Sequence, residues 1–417
     1  MKLIGYGMHF WLEIADGLIH AFGHWLCLVI GWNEMAFIEM RKRILISVDW
    51  FPPAYKAGGP IQSAHNLAGL LARHHDVWVV TGNRDLGETK ELVSNHDIWI
   101  PFDVPQGTIQ VRYSERLSRG DWKQLLEEVN PDFLHLNSLF SLEFTLLPMR
   151  LVRASLNTKV CLAPRGMLGK SALAIKPLKK QLFLSMMKMT GGMNHVLWHA
   201  SSMNECDEVL EAFPKARNSI KVAQNLPLPL PLENPERPAD HWRVLIVGRI
   251  HRVKNVMFGL SALLKCKSTR PIHVDFIGPL EDVEYGAELE GLSKQNPAVS
   301  VRLLGGMPPS ELAPHYQGAH FLLSSTMQEN FGHSIVEAWA HGCPVLISDR
   351  TPWKELENKG IGWEWPLDEA IWIRGLTEAF SISNADWQEK SAASRAFFAD
   401  HVQSDEVERA NLALFEL

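Results

Sequence analysis

The sequence predicts an α/β protein built from two doubly wound, Rossmann-like domains that face each other across a cleft. Three observations predict this class. Apolar runs typical of buried strands alternate with helical patterns from Arg43 onward. A single proline-rich stretch, LPLPLPLENPERPADH at 226–241, interrupts the alternation. The chain has 417 residues, enough for two domains of ordinary size.

The first alternating series predicts an N-terminal domain at 40–225. It starts with RILISVDW, IQSAHNLAGLLARHH and DVWVVTG, and continues through DWKQLLEEVNP, FLHLN, KVCLAPRG, VLWHA, SMNECDEVLEAF and SIKVAQN. Prolines can continue neither a helix nor a central strand. We therefore predict that 226–242 is a linker.

The second series predicts a C-terminal domain at 243–400. It begins with RVLIVGRI and NVMFGLSALLKCKS, and it includes the strand-like runs IHVDFIGP, VSVRLLGG, AHFLLSS and CPVLIS. Two further helices are expected after Trp387, the last of them within 401–417. Because open parallel sheets bind ligands beyond the carboxyl ends of their strands, we expect the site in the cleft between the domains.

Composition excludes several classes of function. The formal net charge is -6, so the chain lacks the basic surface that a nucleic-acid partner requires. Its five cysteines are widely spaced and form no CxxC pair, which is consistent with a reducing cytoplasm and predicts no cysteine metal site. They are Cys27, Cys161, Cys206, Cys266 and Cys343.

Residues 1–39 allow two interpretations. The stretch GLIHAFGHWLCLVIGW is apolar, but it lacks both the length of a spanning helix and the features of a secretory signal. One interpretation is an unstructured extension or a misplaced start codon; the other is an amphipathic membrane anchor. Five ionisable residues interrupt the surrounding run: Glu13, Asp16, His20, His24 and Glu34.

The motif QENFGHSIVEAWAHGCPVLIS carries the strongest indication of function. It follows a predicted strand, and a helix is expected to begin near Gly332. Amides at a helix start carry partial positive charge, which suits a diphosphate. Glu337 would point back toward this ligand and accept hydrogen bonds from ribose hydroxyls, while Glu329 would hold the transferred sugar. Two surface carboxylates without a function are the alternative.

The motif GRIHRVKN supplies cations just beyond another predicted strand. A turn there would bring Arg249 and Lys254 onto one diphosphate, where they would neutralise the leaving group as the glycosidic bond breaks. Solvated loop cations are the alternative.

Together these motifs resemble glycosyltransferase family 4, whose Gly-Arg-x5-Lys-like and Glu-x7-Glu elements correspond to Gly248, Arg249, Lys254, Glu329 and Glu337. The resemblance implies a GT-B fold, a last helix that crosses back to the N-terminal domain, a nucleoside-diphosphate sugar donor and retention of anomeric configuration. It implies neither a metal ion nor another cofactor. The predicted donor site comprises Gly58, Gly59, Gly248, Arg249, Lys254, Glu329, Asn330, Phe331, Gly332, His333, Ser334 and Glu337.

The acceptor side departs from the family pattern. Many relatives carry a second histidine where this chain has Asn137, whose amide can bind a sugar hydroxyl but cannot act as a base. We predict that His135 is a packed strand residue and that Arg165 contacts phosphate or acceptor. Gly58 and Gly59 allow close approach of backbone to ligand, although an ordinary turn would also use them.

One segment, GKSALAIKPLKKQLFLSMMKM, combines a basic surface with apolar residues. It suits either an anionic bilayer or lipid-phosphate-linked acceptor, or else a core helix with a solvated lysine face. Its lysines are Lys170, Lys176, Lys179, Lys180 and Lys188.

The resemblance thus implies a metal-independent, retaining hexosyltransferase that acts on a glycan or lipid-linked acceptor in cell-surface polysaccharide assembly. Arg249, Lys254, Glu329 and Asn137 are its predicted catalytic residues. It is expected in the cytoplasm, with peripheral contact at the inner face of the cell membrane. Two alternatives stay open: a nucleotide-sugar epimerase of the same architecture, and a non-catalytic binder of nucleotide sugars.

Overall fold

The computed structural model describes residues 41–155, 157–228, 237–293, 296 and 299–416. The chain from Lys42 onward forms one compact unit. The expectations for 1–39 and for the middle of the linker, 229–236, lie outside the described residues. None of the described helices is both long and apolar enough to cross a membrane.

The N-terminal lobe is built on an eight-stranded sheet. Its strand order is β3-β4-β2-β1-β5-β6-β7-β8, and all neighbours are parallel except the antiparallel pair β3 and β4. The strands are β1 (Arg43–Ser47), β2 (Asp76–Gly82), β3 (Ile100–Val104), β4 (Gly107–Ser114), β5 (Phe133–Leu136), β6 (Lys159–Leu162), β7 (Val196–Ala200) and β8 (Ile220–Val222).

The C-terminal lobe is built on a six-stranded, fully parallel sheet. Its order is β11-β10-β9-β12-β13-β14, so the first strand of the lobe is central and the order reverses between β9 and β12. The strands are β9 (Trp242–Val247), β10 (Ile272–Ile277), β11 (Val299–Gly305), β12 (Phe321–Ser324), β13 (Val345–Ser348) and β14 (Gly362–Trp365).

Helices connect the strands of both sheets. In the N-terminal lobe they are α1 (Gly59–His74), α2 (Arg119–Val129), α3 (Leu147–Ser155), α4 (Lys170–Ala174), α5 (Pro177–Met189) and α6 (Met203–Ala212). Those that follow are α7 (Val256–Lys265), α8 (Val283–Ser293), α9 (Ala313–Gly318), α10 (His333–Ala340), α11 (Glu369–Ala379), α12 (Asn384–Phe397) and α13 (Asp405–Leu412).

Each sheet is buried on both faces, which explains why its central strands are continuously apolar. Successive side chains of a strand point to opposite faces. Leu45 therefore packs in one core of the N-terminal lobe, while Ile44 and Ile46 pack in the other. In the C-terminal lobe, Val244 and Leu245 divide in the same way. Each sheet therefore has a core on both of its faces, as in a doubly wound domain.

The end of the chain returns to the N-terminal lobe. After α13, Phe415 is fully buried in the core beside β1 and α1, with its ring centroid 5.5 Å from that of Phe133. Lys42 Nζ donates to the Phe415 carbonyl at 2.5 Å, and Asn411 Nδ2 donates to the Gln224 carbonyl at 2.9 Å. The predicted fold class, including the helix that crosses back, is therefore confirmed.

Several element boundaries differ from the sequence patterns. Strand β9 begins at Trp242, inside the range assigned to the linker, because this indole is fully buried and donates to the Phe380 carbonyl at 3.1 Å. The segment 170–190 forms two helices, since Lys176 takes a left-handed conformation with φ 55° immediately before Pro177. The last helix begins at Asp405.

Candidate active site

The two motif-bearing loops meet where the strand order of the C-terminal sheet reverses. Gly248 and Arg249 follow β9, and the loop that ends at Gly332 follows β12. In open parallel sheets this reversal opens a crevice at the carboxyl ends of the strands, which is where ligands bind. The topology thus brings both sequence motifs to one crevice that faces the N-terminal lobe.

Helix α10 presents its first turn to this crevice. Gly332 precedes it with φ 82° and ψ 71°, a left-handed conformation that strongly favours glycine. A Cβ at Gly332 would lie 2.8 Å from Ile335 Cδ1 and 3.2 Å from Glu329 Cγ. Within the described residues, no side chain caps this helix start. Its first amides are therefore available to an anionic ligand.

Lys254 and Glu329 form the central ion pair of the crevice. Lys254 closes the short 3-10 turn Arg252–Lys254, and its Nζ lies 2.5 Å from Glu329 Oε2. Both side chains retain partial exposure, so the pair can open to a ligand. Gly248 lies against the same lysine, since a Cβ there would be 3.7 Å from Lys254 Cε.

Arg249 does not share this pair. Its Nη1 lies 2.9 Å from Glu281 Oε2, and both side chains are about two-fifths exposed. The structure therefore brings Lys254 and Glu329 together, whereas it directs Arg249 to a carboxylate on the loop after β10. A shared diphosphate would require Arg249 to leave Glu281.

Glu337 joins the two lobes. Its Oε2 accepts a hydrogen bond from the Tyr316 hydroxyl at 2.7 Å, and its Oε1 accepts one from Gln62 Nε2 of α1 at 3.0 Å. Burial raises the pKa of Glu337 to about 7, and the two hydrogen bonds partly offset this effect. Sequence reasoning found Glu337 but neither donor, because both lie far from it along the chain.

The buried Glu337 should make stability depend on pH. Its carboxyl is charged less readily in the folded protein than in the unfolded one, so the contribution of Glu337 to stability is greatest below pH 4.5 and is lost as pH rises through 7. We expect the free energy of unfolding of the wild type, measured relative to that of Glu337→Gln, to fall by roughly 3 kcal/mol as the pH rises from below 4.5 to above 7. Urea unfolding of both proteins across this range measures the difference. A difference that stays constant with pH would contradict the assignment.

His333, the first residue of α10, contacts the start of α1. Ser63 Oγ and His333 Nε2 lie 2.9 Å apart, and a Cβ at Gly59 would be 3.4 Å from His333 Cδ2. Burial, with smaller effects from nearby cations, lowers the pKa of His333 to about 3, so the ring is neutral at physiological pH. Gly58 precedes α1 with φ 72° and ψ -128°, which only glycine adopts readily.

Glu205 forms a second link between the lobes that the sequence motifs did not reveal. Its buried carboxylate accepts hydrogen bonds from the Gly166 amide at 2.5 Å, from Asn330 Nδ2 at 3.2 Å, and from the amide and hydroxyl of Ser201, both at 2.7 Å. The cap residue Ser202 before α6 was the available signal, but it predicts a helix start and not a partner.

Asn137 and Arg165 form one unit on the N-terminal side. Asn137 Oδ1 accepts from Arg165 Nε at 3.0 Å and from Nη2 at 2.8 Å, and its amide nitrogen lies 3.0 Å from His135 Nδ1. Asn225 binds the other guanidinium nitrogen. Burial lowers the pKa of Arg165 to about 10, so it stays charged. Asn137 therefore positions a cation, and His135 is fully buried as expected.

The two remaining donor-site predictions have different surroundings. Phe331 is buried in the core of the C-terminal lobe, where its ring centroid lies 5.7 Å from that of Trp353, so its side chain supports the loop. Ser334 is half-buried in the first turn of α10. Across the described residues, no cluster of three or more His, Cys, Asp or Glu could hold a metal ion.

Part of the chain resembles known proteins in sequence. Residues 232–363 match the family model described as glycosyl transferases group 1. The match covers about a third of the chain, mostly in the C-terminal lobe. The poly(glycerol-phosphate) alpha-glucosyltransferase of Bacillus subtilis (strain 168) is 31% identical over 114 residues. That match spans 27% of this chain but only 16% of the relative's length.

Solved structures share the fold over most of the chain. HepE of Anabaena, crystallised with UDP-glucose, has a TM-score of 0.66 at 15% identity, covering 90% of this chain and 99% of that one. WaaG, a glycosyltransferase involved in lipopolysaccharide biosynthesis, has a TM-score of 0.64 at 13% identity, covering 90% and 100%. A glycosyltransferase from Rickettsia africae has a TM-score of 0.62 at 15% identity, covering 90% and 98%. The fold is therefore GT-B.

Proposed function

We propose that this chain is a retaining glycosyltransferase of family 4 that transfers a hexose from a nucleoside-diphosphate sugar to a glycan or lipid-linked acceptor. The observation that carries the proposal is the Lys254–Glu329 pair, placed at the strand-order reversal beside the start of α10, which no described side chain caps. A cation and helix amides suit a diphosphate, and an adjacent carboxylate suits sugar hydroxyls.

In the proposed reaction, the diphosphate lies between Lys254 and the first amides of α10. The bond between the anomeric carbon and the diphosphate oxygen breaks, and its electron pair goes to that oxygen. Lys254 and the amides stabilise the charge that develops there, aided by Arg249 once it leaves Glu281. The acceptor oxygen bonds to the same face of the sugar, and its proton passes to the departing diphosphate.

The other site residues position the substrates. Glu337 would bind the ribose hydroxyls in place of Gln62, and Glu329 would bind the transferred sugar. His333 is neutral, so its ring can donate one N–H hydrogen bond to the nucleotide sugar and adds no positive charge to the site. Arg165, held by Asn137, would face the acceptor. The reaction needs no base from the protein and no metal ion.

The names of the relatives support a place in cell-surface polysaccharide assembly. One is an alpha-glucosyltransferase of poly(glycerol-phosphate), and another acts in lipopolysaccharide biosynthesis. A structural neighbour was crystallised with UDP-glucose, which makes UDP-hexoses the first donors to test. The proposed enzyme works in the cytoplasm at the inner face of the cell membrane.

Product analysis tests the proposal. The full-length protein is incubated with UDP-hexoses, each alone and with glycerol-phosphate oligomers or lipid-linked sugars, in the presence of a chelator. We expect release of nucleoside diphosphate that depends on acceptor, and a product with the anomeric configuration of the donor by NMR. Epimerised sugar from donor alone, or donor binding without turnover across a broad panel of donors and acceptors, would contradict transfer.

A further inference from the structure

Helix α5 carries apolar side chains on two faces. On the inner face, Leu184 and Met187 are buried in the core of the N-terminal lobe. The opposite face is also apolar, yet it points to solvent. Its side chains, with their exposed fractions, are Ile175 just before the helix (48%), Leu178 (81%), Leu182 (74%), Met186 (40%) and Met189 (86%).

The exposed side chains form one stripe. Their spacing of three or four residues keeps them on one side of a helix with 3.6 residues per turn. Lys179 and Lys188 lie on either side of the stripe, and Lys176 precedes the helix; all three are exposed. Lys180 differs, since it donates to the Ala172 carbonyl at 2.6 Å. An apolar stripe bordered by lysines is typical of helices that lie in a membrane interface.

The surrounding chain has an unusual charge distribution. Between Phe144 and Asn204 the sequence contains nine Lys and Arg residues but no Asp or Glu, although the whole chain carries a net charge of -6. The stripe therefore lies in the one long basic stretch of an otherwise acidic protein. A second copy of the chain offers no matching acidic apolar face in the same segment, and a nucleic-acid backbone offers nothing to bury Leu182. An anionic bilayer satisfies both features.

We propose that α5 docks this protein on an anionic membrane. Leu178, Leu182 and Met189 insert at the boundary of headgroups and acyl chains, and the flanking lysines contact anionic headgroups. Phe183 of α5 contacts Phe140 in the loop that follows Asn137, with ring centroids 5.2 Å apart, so docking brings the acceptor side of the site close to the bilayer. This last consequence rests on the proposed function, but the docking itself does not.

Vesicle flotation of the full-length protein tests the docking. Vesicles contain phosphatidylcholine alone or with about one third phosphatidylglycerol, near physiological salt. We expect binding to the anionic vesicles, and at least about 100-fold weaker binding for a variant with Lys176, Lys179 and Lys188 changed to Glu, since each lysine contributes about 1 kcal/mol and the new carboxylates repel the headgroups. The matched control carries the same change at three exposed lysines elsewhere: Lys90, Lys123 and Lys267. It should bind like wild type.

A site-specific probe separates α5 from residues 1–39, which could also contact lipid. Leu182→Cys is labelled with an environment-sensitive dye, and Lys267→Cys serves as control; the labelled parent protein gives the background from native cysteines. We expect a blue shift at position 182 with anionic vesicles only. Bound protein without that shift, or self-association in the absence of lipid that Leu182→Asp abolishes, would overturn the proposal. Donor turnover in detergent tests the proposed function separately.

Discussion

Lys254→Ala is expected to lower kcat/KM for sugar transfer about 1,000-fold, or about 4 kcal/mol, while the protein stays folded. Lys254 Nζ lies 2.5 Å from Glu329 Oε2, which places its charge at the proposed position of the leaving diphosphate. Removing a preorganised charge from a cleft costs more in the transition state than in the ground state. Steady-state kinetics with the donor identified by product analysis gives the measurement.

Lys265→Ala is the matched control for this prediction. Lys265 also belongs to the C-terminal lobe and also pairs with a glutamate, at 2.6 Å from Glu369 Oε1, but both residues are about half exposed on the surface. Surface pairs contribute little to stability, and this one lies outside the crevice. We expect near wild-type turnover for Lys265→Ala. Near wild-type turnover for Lys254→Ala as well would rule out its proposed role.

Phe415→Ala is expected to destabilise the protein by about 4 kcal/mol. The side chain is fully buried, and its ring centroid lies 5.5 Å from that of Phe133 and 5.8 Å from the ring of His135. Truncation would leave a cavity in the N-terminal lobe below β5, the strand that leads to Asn137. Denaturant unfolding gives the free energy of unfolding for wild type and variant.

The neighbouring Glu416→Ala provides the control, because Glu416 is exposed while Phe415 is not. Its free energy of unfolding should stay within about 0.5 kcal/mol of wild type. Equal, small effects of the two substitutions would mean that the end of the chain does not pack on the N-terminal lobe in solution.

Central strands were the most predictable part of the fold. The centres of strands β1 and β9 are buried on both faces, so residues 44–46 and 244–247 form unbroken apolar runs that stand out from the helical patterns around them. The edge pair β3 and β4 was not predicted. Strand β3 reads IPFDV, and its side chains alternate between exposed and partly buried positions, with Val104 as the one fully buried residue of the strand. An edge strand needs less burial, so its sequence carries a weaker signal.

The site was predictable where short loops determine it. Glu329 and Lys254 each follow a strand of the same sheet, and parallel topology brings the two loops together. Contacts between the lobes were not predictable. Gln62 is 275 positions from Glu337, and no local pattern indicates that its amide reaches this carboxylate. The partner of Arg249 was also not predictable, since the position of Arg249 after β9 does not indicate that it pairs with Glu281.

The central claim is that the crevice around Lys254 and Glu329 binds a nucleoside-diphosphate sugar. Calorimetric titration of the full-length protein with UDP-glucose, UDP and the other nucleoside diphosphates tests it most directly. We predict saturable binding of one ligand per chain, weakened at least about 10-fold by Lys254→Ala and unchanged by Lys265→Ala. Binding that Lys254→Ala leaves intact, or no binding of any nucleoside diphosphate or its sugars, would contradict the claim.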